Sequence, residues 1–416
     1  MIEALSKRIT ECRVCRNRNL TPVLSLGDQA MTGIFPKIAE SDEVPVGPIN
    51  IVKCHGHEVC GLLQLENTFD PIEMYGDNYG YRSGLNQKMI DHLHSKVKEI
   101  CSLIDLKNGD MVIDIGSNDG TSLAAYPDGL ILVGVDPTAE KFRAHYQQRA
   151  TVISDFFSSE IVANLFDDKK ARVITSHSMM YDLDDPIWFA KEVRSVLEDD
   201  GLWMFEQSYM PLMLSRTAYD TICHEHIEYY SLKQIVWILA EADLKVVDVT
   251  FNDTNGGSFS VLATPVGNHS RRIEESVPTT LAKEVEMGLD TLVPYQEFAK
   301  RTNERSIELL RFIEQAISRG QVVRGVGAST KGNCLLQYTG LTSKHVLSIA
   351  EVNPEKFGCL TPGSLIPIEK QEDVLDSRAD FLLVLPWHFR EFFMNSPLFE
   401  GQNLLFPLPE VEVVSR

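Results

Sequence analysis

Four cysteines fall in the first 60 residues of this 416-residue chain: Cys12-x-x-Cys15, then Cys54 and Cys60 within Lys53-Cys54-His-Gly-His57-Glu-Val-Cys60. A Cys-x-x-Cys pair brings two thiolates onto one tetrahedral ion, and a second pair closes the shell. The second pair is irregular, because His57 lies nearer to Cys60 than Cys54 does. The expected ligands of a structural zinc are therefore four cysteines, or three with His57. A second group, Val112-Ile-Asp114-Ile-Gly116-Ser117-Asn118-Asp119-Gly120, puts glycines where a strand turns tightly and a ligand can approach the backbone. Asp136, at the end of the apolar run Leu132-Val-Gly-Val135, can accept hydrogen bonds from both hydroxyls of a ribose. Asp155-Phe156 adds a carboxylate for an adenine amino group and an aromatic face. The spacing Gly-x-x-x-Gly lacks the third glycine that seats a pyrophosphate on a helix N-terminus, which favours S-adenosylmethionine over a dinucleotide.

Two further clusters can handle a substrate. In His224-Glu225-His226, residues two apart on an extended segment face the same way, so one imidazole can reach a substrate while Glu225 points elsewhere or orients a ring. A metal site from His224, His226 and Glu228 is disfavoured, since the spacing is not that of a helical zinc motif. In Gly325-Val-Gly327-Ala-Ser329-Thr-Lys331-Gly-Asn333, backbone amides, Ser329 and Lys331 at a helix start can bind a diphosphate. It is not a Walker motif, because Gly follows Lys331.

These residues need a scaffold. Apolar positions every four residues predict a helix over 85–104, and β-branched runs predict strands at 111–115, 130–135, 172–176, 201–206, 245–251 and 258–264. A short helix is expected after the glycine loop, with others at 186–198 and 231–242. The alternation is that of a doubly wound parallel sheet. A charged helical stretch over 279–319, divided at Pro294, leads into a second alternating unit with strands at 321–326, 346–352 and 381–385 and a helix at 331–339. The fold class expected is α/β: a small, loop-rich zinc module (1–80), a class I methyltransferase Rossmann-like domain (81–275) and a second Rossmann-like domain (276–416).

Composition bounds the partners. Apolar residues make up 44% and charged residues 24%, as in soluble globular proteins. Acidic residues outnumber basic ones by 59 to 39, a net charge of −20 that disfavours nucleic acid. No run is long enough to span a bilayer and the N-terminus lacks a signal-peptide core, so no membrane partner and a cytoplasmic monomer are expected. The remaining cysteines, Cys101, Cys223, Cys334 and Cys359, are scattered, and all but Cys223 read as packing residues.

Taken with Tyr79-Gly-Tyr81-Arg-Ser-Gly84, Asn255-Gly-Gly-Ser-Phe259 and Pro362-Gly363, these motifs in this order make the chain resemble the zinc-containing nucleotide-sugar 3-C-methyltransferases over nearly its whole length. The resemblance implies methylation of C3 of a 4-keto-6-deoxy sugar carried on a nucleoside diphosphate. The ketone acidifies the C3 proton, a base removes it, and the enolate carbon takes the methyl group. By the same resemblance His226 is the base, Glu225 its partner, and His224 and His177 active-site histidines. Tyr79 and Tyr81 then reach the keto oxygen, and Gly327, Ser329, Lys331 and Asn333 meet the substrate. This chain has Cys223 where the family usually has tyrosine. A thiol cannot reproduce a phenol's hydrogen bond, so that role is absent, moved to another tyrosine, or filled by water. Cys223 keeps open an acceptor other than a sugar carbon, and a scaffold protein is disfavoured by the intact cofactor loop, Asp136 and His226.

Overall fold

The computed structural model describes residues 6–70 and 81–416. A seven-stranded sheet runs in the order Leu244–Asn252, Ser258–Pro265, Leu197–Ser208, Ala171–His177, Met111–Ile115, Ile131–Val135, Ala150–Ile153. Its strands are parallel except Ser258–Pro265, which runs antiparallel to both neighbours. The chain enters at the centre and winds outward to Ala150–Ile153. It then crosses back to Ala171–His177, so strand order reverses beside Met111–Ile115 and a crevice opens at the strands' carboxyl ends. The central strands are apolar on both faces, as Met111–Ile115 illustrates with every residue buried. Helix Gln87–Leu103 packs Leu93, Val97 and Ile100 inward.

The second sheet has the order Ile368–Lys370, Ile349–Glu351, Val323–Val326, Phe381–Val384, Asn403–Phe406, Glu412–Ser415, parallel but for the last strand. The long helical stretch breaks as expected into Ser276–Glu286 and Val293–Ser318, and Pro294 sits in the first turn of the second helix, where its missing N–H costs nothing.

Two expectations fail. The helix expected after the glycine loop is only the three-residue 3-10 turn Leu123–Ala125. The N-terminal module is not loop-rich: strands Leu20–Ala30 and Val46–Cys54 pair antiparallel over most of their length, followed by Leu63–Leu65. Register shifts near Val23 and between Ser25 and Asp28, where Gly27 has φ +77°, scramble the period-two pattern that would have announced them. The fourth strand of that sheet, Glu228–Tyr229, comes from the middle of the chain and pairs with Leu63 and Gln64. It directly follows His224-Glu225-His226, so the zinc module holds that segment in place.

Candidate functional site

Cys12, Cys15, Cys54 and Cys60 converge, with Sγ–Sγ distances of 3.5 Å for Cys12–Cys60 and for Cys15–Cys54. Tetrahedral zinc at about 2.3 Å from each sulfur needs about 3.8 Å between sulfurs, so the set fits. Hydrogen bonding among the thiols, then burial, holds Cys12 and Cys60 protonated, a conflict that a divalent cation removes. His57 is 90% exposed and pairs with Glu58, so it is no ligand and the four-cysteine alternative stands. Outer contacts orient the knuckles: Asn17 Nδ2 donates to Cys54 Sγ (3.3 Å) and Gln234 Nε2 to the Cys60 carbonyl (2.7 Å). This is a zinc-binding domain with a structural, coordinatively closed site.

A cavity of about 390 Å³ opens at the strand-order reversal of the seven-stranded sheet, within the size range of small-molecule sites. Asp114, Gly116, Ser117, Asn118, Asp136, Asp155, Phe156, His177 and Tyr81 all line it. Gly116 turns the chain at φ +72°, and Gly120, at φ +76°, lies beneath the loop, where a Cβ would stand 2.7 Å from the Tyr146 ring. Asp136 is held by the amides of Asn118 (2.9 Å) and Thr138 (2.7 Å) and the Thr138 hydroxyl (2.6 Å). Asp114 is buried and takes one hydrogen bond, from the Thr175 hydroxyl at 2.6 Å; burial pushes its carboxyl up to about 7. A desolvated carboxyl with no cation beside it among the described residues suits a ligand that brings its own positive charge, and the residues present fit S-adenosylmethionine, which is cationic. Asp155 and Phe156 are exposed at the mouth.

His177, at the end of its strand, has no hydrogen-bond partner on either ring nitrogen among the described residues, and burial pushes it down to about 4. The imidazole is thus neutral at the cavity wall. Tyr79 lies outside the described residues. The segment after it is tied down by residues expected to touch only the cofactor. Asn118 Oδ1 accepts from the Ser83 amide (2.9 Å), its Nδ2 donates to the Tyr81 carbonyl (3.1 Å), and Asp119 accepts from the Gly84 amide (2.9 Å). The polar pair in the glycine loop thereby anchors the tyrosine segment over the cofactor crevice.

His224, Glu225 and His226 do not act as one face. His224 is buried against the N-terminal sheet, with Nε2 3.1 Å from the Gly47 carbonyl and its ring edge-on to Phe69, so it turns away from the crevice. His226 keeps partial exposure; its Nδ1 lies 2.9 Å from the Thr221 carbonyl and its ring packs on Tyr181, whose neighbours 177–179 and 182–184 line the cavity. Burial alone pushes Glu225 up to about 7, with its carboxyl packed against Gly33.

In the second glycine loop, Gly327 has φ +83° and a Cβ there would meet the Pro386 ring at 2.7 Å. Ser329 caps helix Thr330–Thr339, accepting from the Gly332 amide. Lys331 Nζ donates to the Asn255 carbonyl (2.6 Å) with Asp220 close by. Asn333 is fully buried and donates to the Thr32 carbonyl (2.8 Å), tying the zinc module to this helix. Its Nδ2 is committed to that tie, while its Oδ1 has no hydrogen-bond partner among the described residues.

Sequence reasoning missed the dyad His92–Glu206, at 2.5 Å behind His177. Burial opposes ionisation of Glu206, but His92, His177 and Lys96 hold its carboxyl down at about 2, and Asn252 and Ser260 also donate to it. A histidine in an amphipathic helix and a glutamate inside an apolar strand gave no spacing signal.

The sheet order, the switch-point cavity and the acidic residues lining it define an S-adenosylmethionine-dependent methyltransferase. Three family models match in sequence: a zinc binding domain over residues 12–75, a methyltransferase domain over 85–249 and a C-methyltransferase C-terminal domain over 253–409. The chain is similar to the C-methyltransferase NovU of Streptomyces niveus, 28% identical over 422 residues that take in 100% of this chain and 99% of that protein. Together these matches support S-adenosylmethionine-dependent transfer of a methyl group to carbon as the activity. Among solved structures, one resembles it over 44% of this chain and 94% of its own (17% identity, TM-score 0.37): a methyltransferase in complex with the Haloferax volcanii Trm112 activator. Another is an S-adenosylmethionine-dependent methyltransferase of Clostridium acetobutylicum, over 42% and 92% (17%, TM-score 0.33). Likenesses this partial carry no weight on the chemistry. Among the described residues no helix is long and apolar enough to cross a membrane.

Proposed function

We propose that the methyl acceptor is C3 of a 4-keto-6-deoxy sugar linked to a nucleoside diphosphate, with units 1–80, 81–275 and 276–416 holding the zinc, the cofactor and the nucleotide respectively. Bound S-adenosylmethionine supplies an electrophilic methyl group on a sulfonium. Asp136 accepts from the ribose hydroxyls, Asp155 and Phe156 receive the adenine, and Asp114 faces the cationic end. His226 removes the C3 proton. The observation that carries this reading is the Nδ1 contact of His226 with the Thr221 carbonyl, which fixes the tautomer that puts the basic lone pair on Nε2, with the ring packed on Tyr181 beside the crevice wall. Glu225, with a carboxyl held near neutrality, takes up the proton's charge balance beside it. His177 and Tyr81 lie on the cofactor side, where neutral donors suit an oxygen gaining negative charge. Gly327, Ser329 and Lys331 are assigned to the diphosphate, which would draw the Lys331 ammonium from the Asn255 carbonyl.

The test is incubation with S-adenosylmethionine and a panel of 4-keto-6-deoxy nucleotide sugars in deuterated water, followed by mass spectrometry. One substrate should gain a methyl group, and His226→Asn should show neither methylation nor C3 deuterium exchange. Full turnover in that variant removes His226 as the base.

A further inference from the structure

We propose that Cys223, Glu225 and His226 form a second metal site, open at one position, that takes a thiophilic divalent cation such as Zn²⁺ and in doing so silences the enzyme.

One ligand atom from each of the three lies within 4.8 Å of the other two. They sit on a short irregular segment pinned at both ends. The 3-10 turn Tyr219–Thr221 precedes it, and Ile227 N donates to the Tyr181 carbonyl (3.0 Å) just before strand Glu228–Tyr229. The His226 amide donates to the Cys223 carbonyl (3.2 Å), a tight turn that folds the two side chains toward each other. Ligands around tetrahedral zinc stand about 3.3 to 3.8 Å apart, so the group closes on an ion by side-chain rotation of about 1 Å. The contact of Nδ1 with the Thr221 carbonyl is the kind of outer hydrogen bond that orients a metal-ligating imidazole and leaves the lone pair of its other nitrogen for an ion.

Ligand chemistry selects the ion. One thiolate, one imidazole and one carboxylate favour Zn²⁺, Cd²⁺ or Co²⁺ over Mg²⁺ and Ca²⁺, which want oxygen alone. Three protein ligands leave a fourth position for water, unlike the closed four-cysteine shell. His224 and Glu228, the other members of the set that spacing disfavoured, do not join this group: His224 Nε2 lies against the Gly47 carbonyl, and Glu228 accepts from Tyr230. On binding, the Cys223 thiol loses its proton to solvent and the sulfur's electron pair goes to the ion; no oxidant is involved. The metal site stands on geometry alone, whereas its inhibitory effect rests on the reading of His226 as the base, because one Nε2 lone pair cannot serve both a proton and a metal.

Full-length protein dialysed against micromolar zinc should hold two zinc ions per chain by plasma emission spectrometry. Cys223→Ser and His226→Gln should each hold one, with unchanged circular dichroism. If either variant unfolds, wild-type protein titrated with cobalt decides. The second equivalent should add thiolate-to-cobalt absorbance in the near ultraviolet, about a quarter of that from the four-cysteine site. One zinc per chain in the wild type, two in both folded variants, or a second cobalt without thiolate absorbance overturns the site. Two zinc ions with undiminished C3 exchange would keep the site and remove the base assignment instead.

Discussion

Asp114 is buried in the cavity floor, accepting a hydrogen bond from the Thr175 hydroxyl, and burial raises its carboxyl from 3.8 to about 7. Because the folded-state value is raised, the protonated form is favoured by the fold. Its contribution to stability is complete below pH 3.8 and is lost as pH rises through 7. The separation of the two values, at about 1.36 kcal/mol per pH unit, makes the ionised carboxylate cost the unliganded protein about 4 kcal/mol at pH 8. Asp114→Asn removes that cost but leaves an NH₂ group to satisfy, at about 1–3 kcal/mol, for a net stabilisation of about 2 kcal/mol. For a domain of this size that is a rise in Tm of about 4–8 °C at pH 8 by calorimetry, with little change at pH 5. The ligand response runs the other way. S-adenosylmethionine binds the ionised form, whose fraction falls from about 0.9 at pH 8 to about 0.1 at pH 6, so wild-type affinity should weaken about tenfold across that window. The variant should bind weakly at both pH values. An unchanged or lower Tm at pH 8, or wild-type affinity constant from pH 8 to 6 by titration calorimetry, would refute the assignment of Asp114 as the cation's counter-charge.

Gly33→Ala places a Cβ 2.5 Å from Glu225 Oε1, the mobile end of a side chain, so stability should change by less than about 1 kcal/mol while kcat falls. Unchanged kcat and an unchanged pH–rate profile would show that the placement of Glu225 does not matter. Cys15→Ser opens the closed zinc shell and, through strand pairing of Leu63–Leu65 with Glu228–Tyr229, should loosen the segment that carries His226. Zinc content and methyl transfer should drop together, and retained turnover in the zinc-free protein would break that link.

The doubly wound sheet was legible because its central strands are buried on both faces and read as short, largely apolar runs rich in β-branched residues. The cofactor loop was legible for a related reason: backbone that must turn at positive φ under a ligand uses glycine, and Gly116 and Gly120 do so at fixed spacing. The N-terminal sheet was not, since its bulges break the period and its fourth strand is supplied 166 residues further on, where Tyr229 meets Leu63. A two-residue strand has no sequence signal of its own. That same remote pairing explains why a His-Glu-His string could be noticed and its geometry still misjudged. Alternation holds only while a segment stays extended, and here the turn from Cys223 to His226 sends His224 to the zinc module and His226 against the Tyr181 ring. With His226 as the proposed base, the zinc module becomes part of the catalytic architecture: it holds the strand end that sets where that base stands, and the Gly33 backbone leaves room for its acidic neighbour.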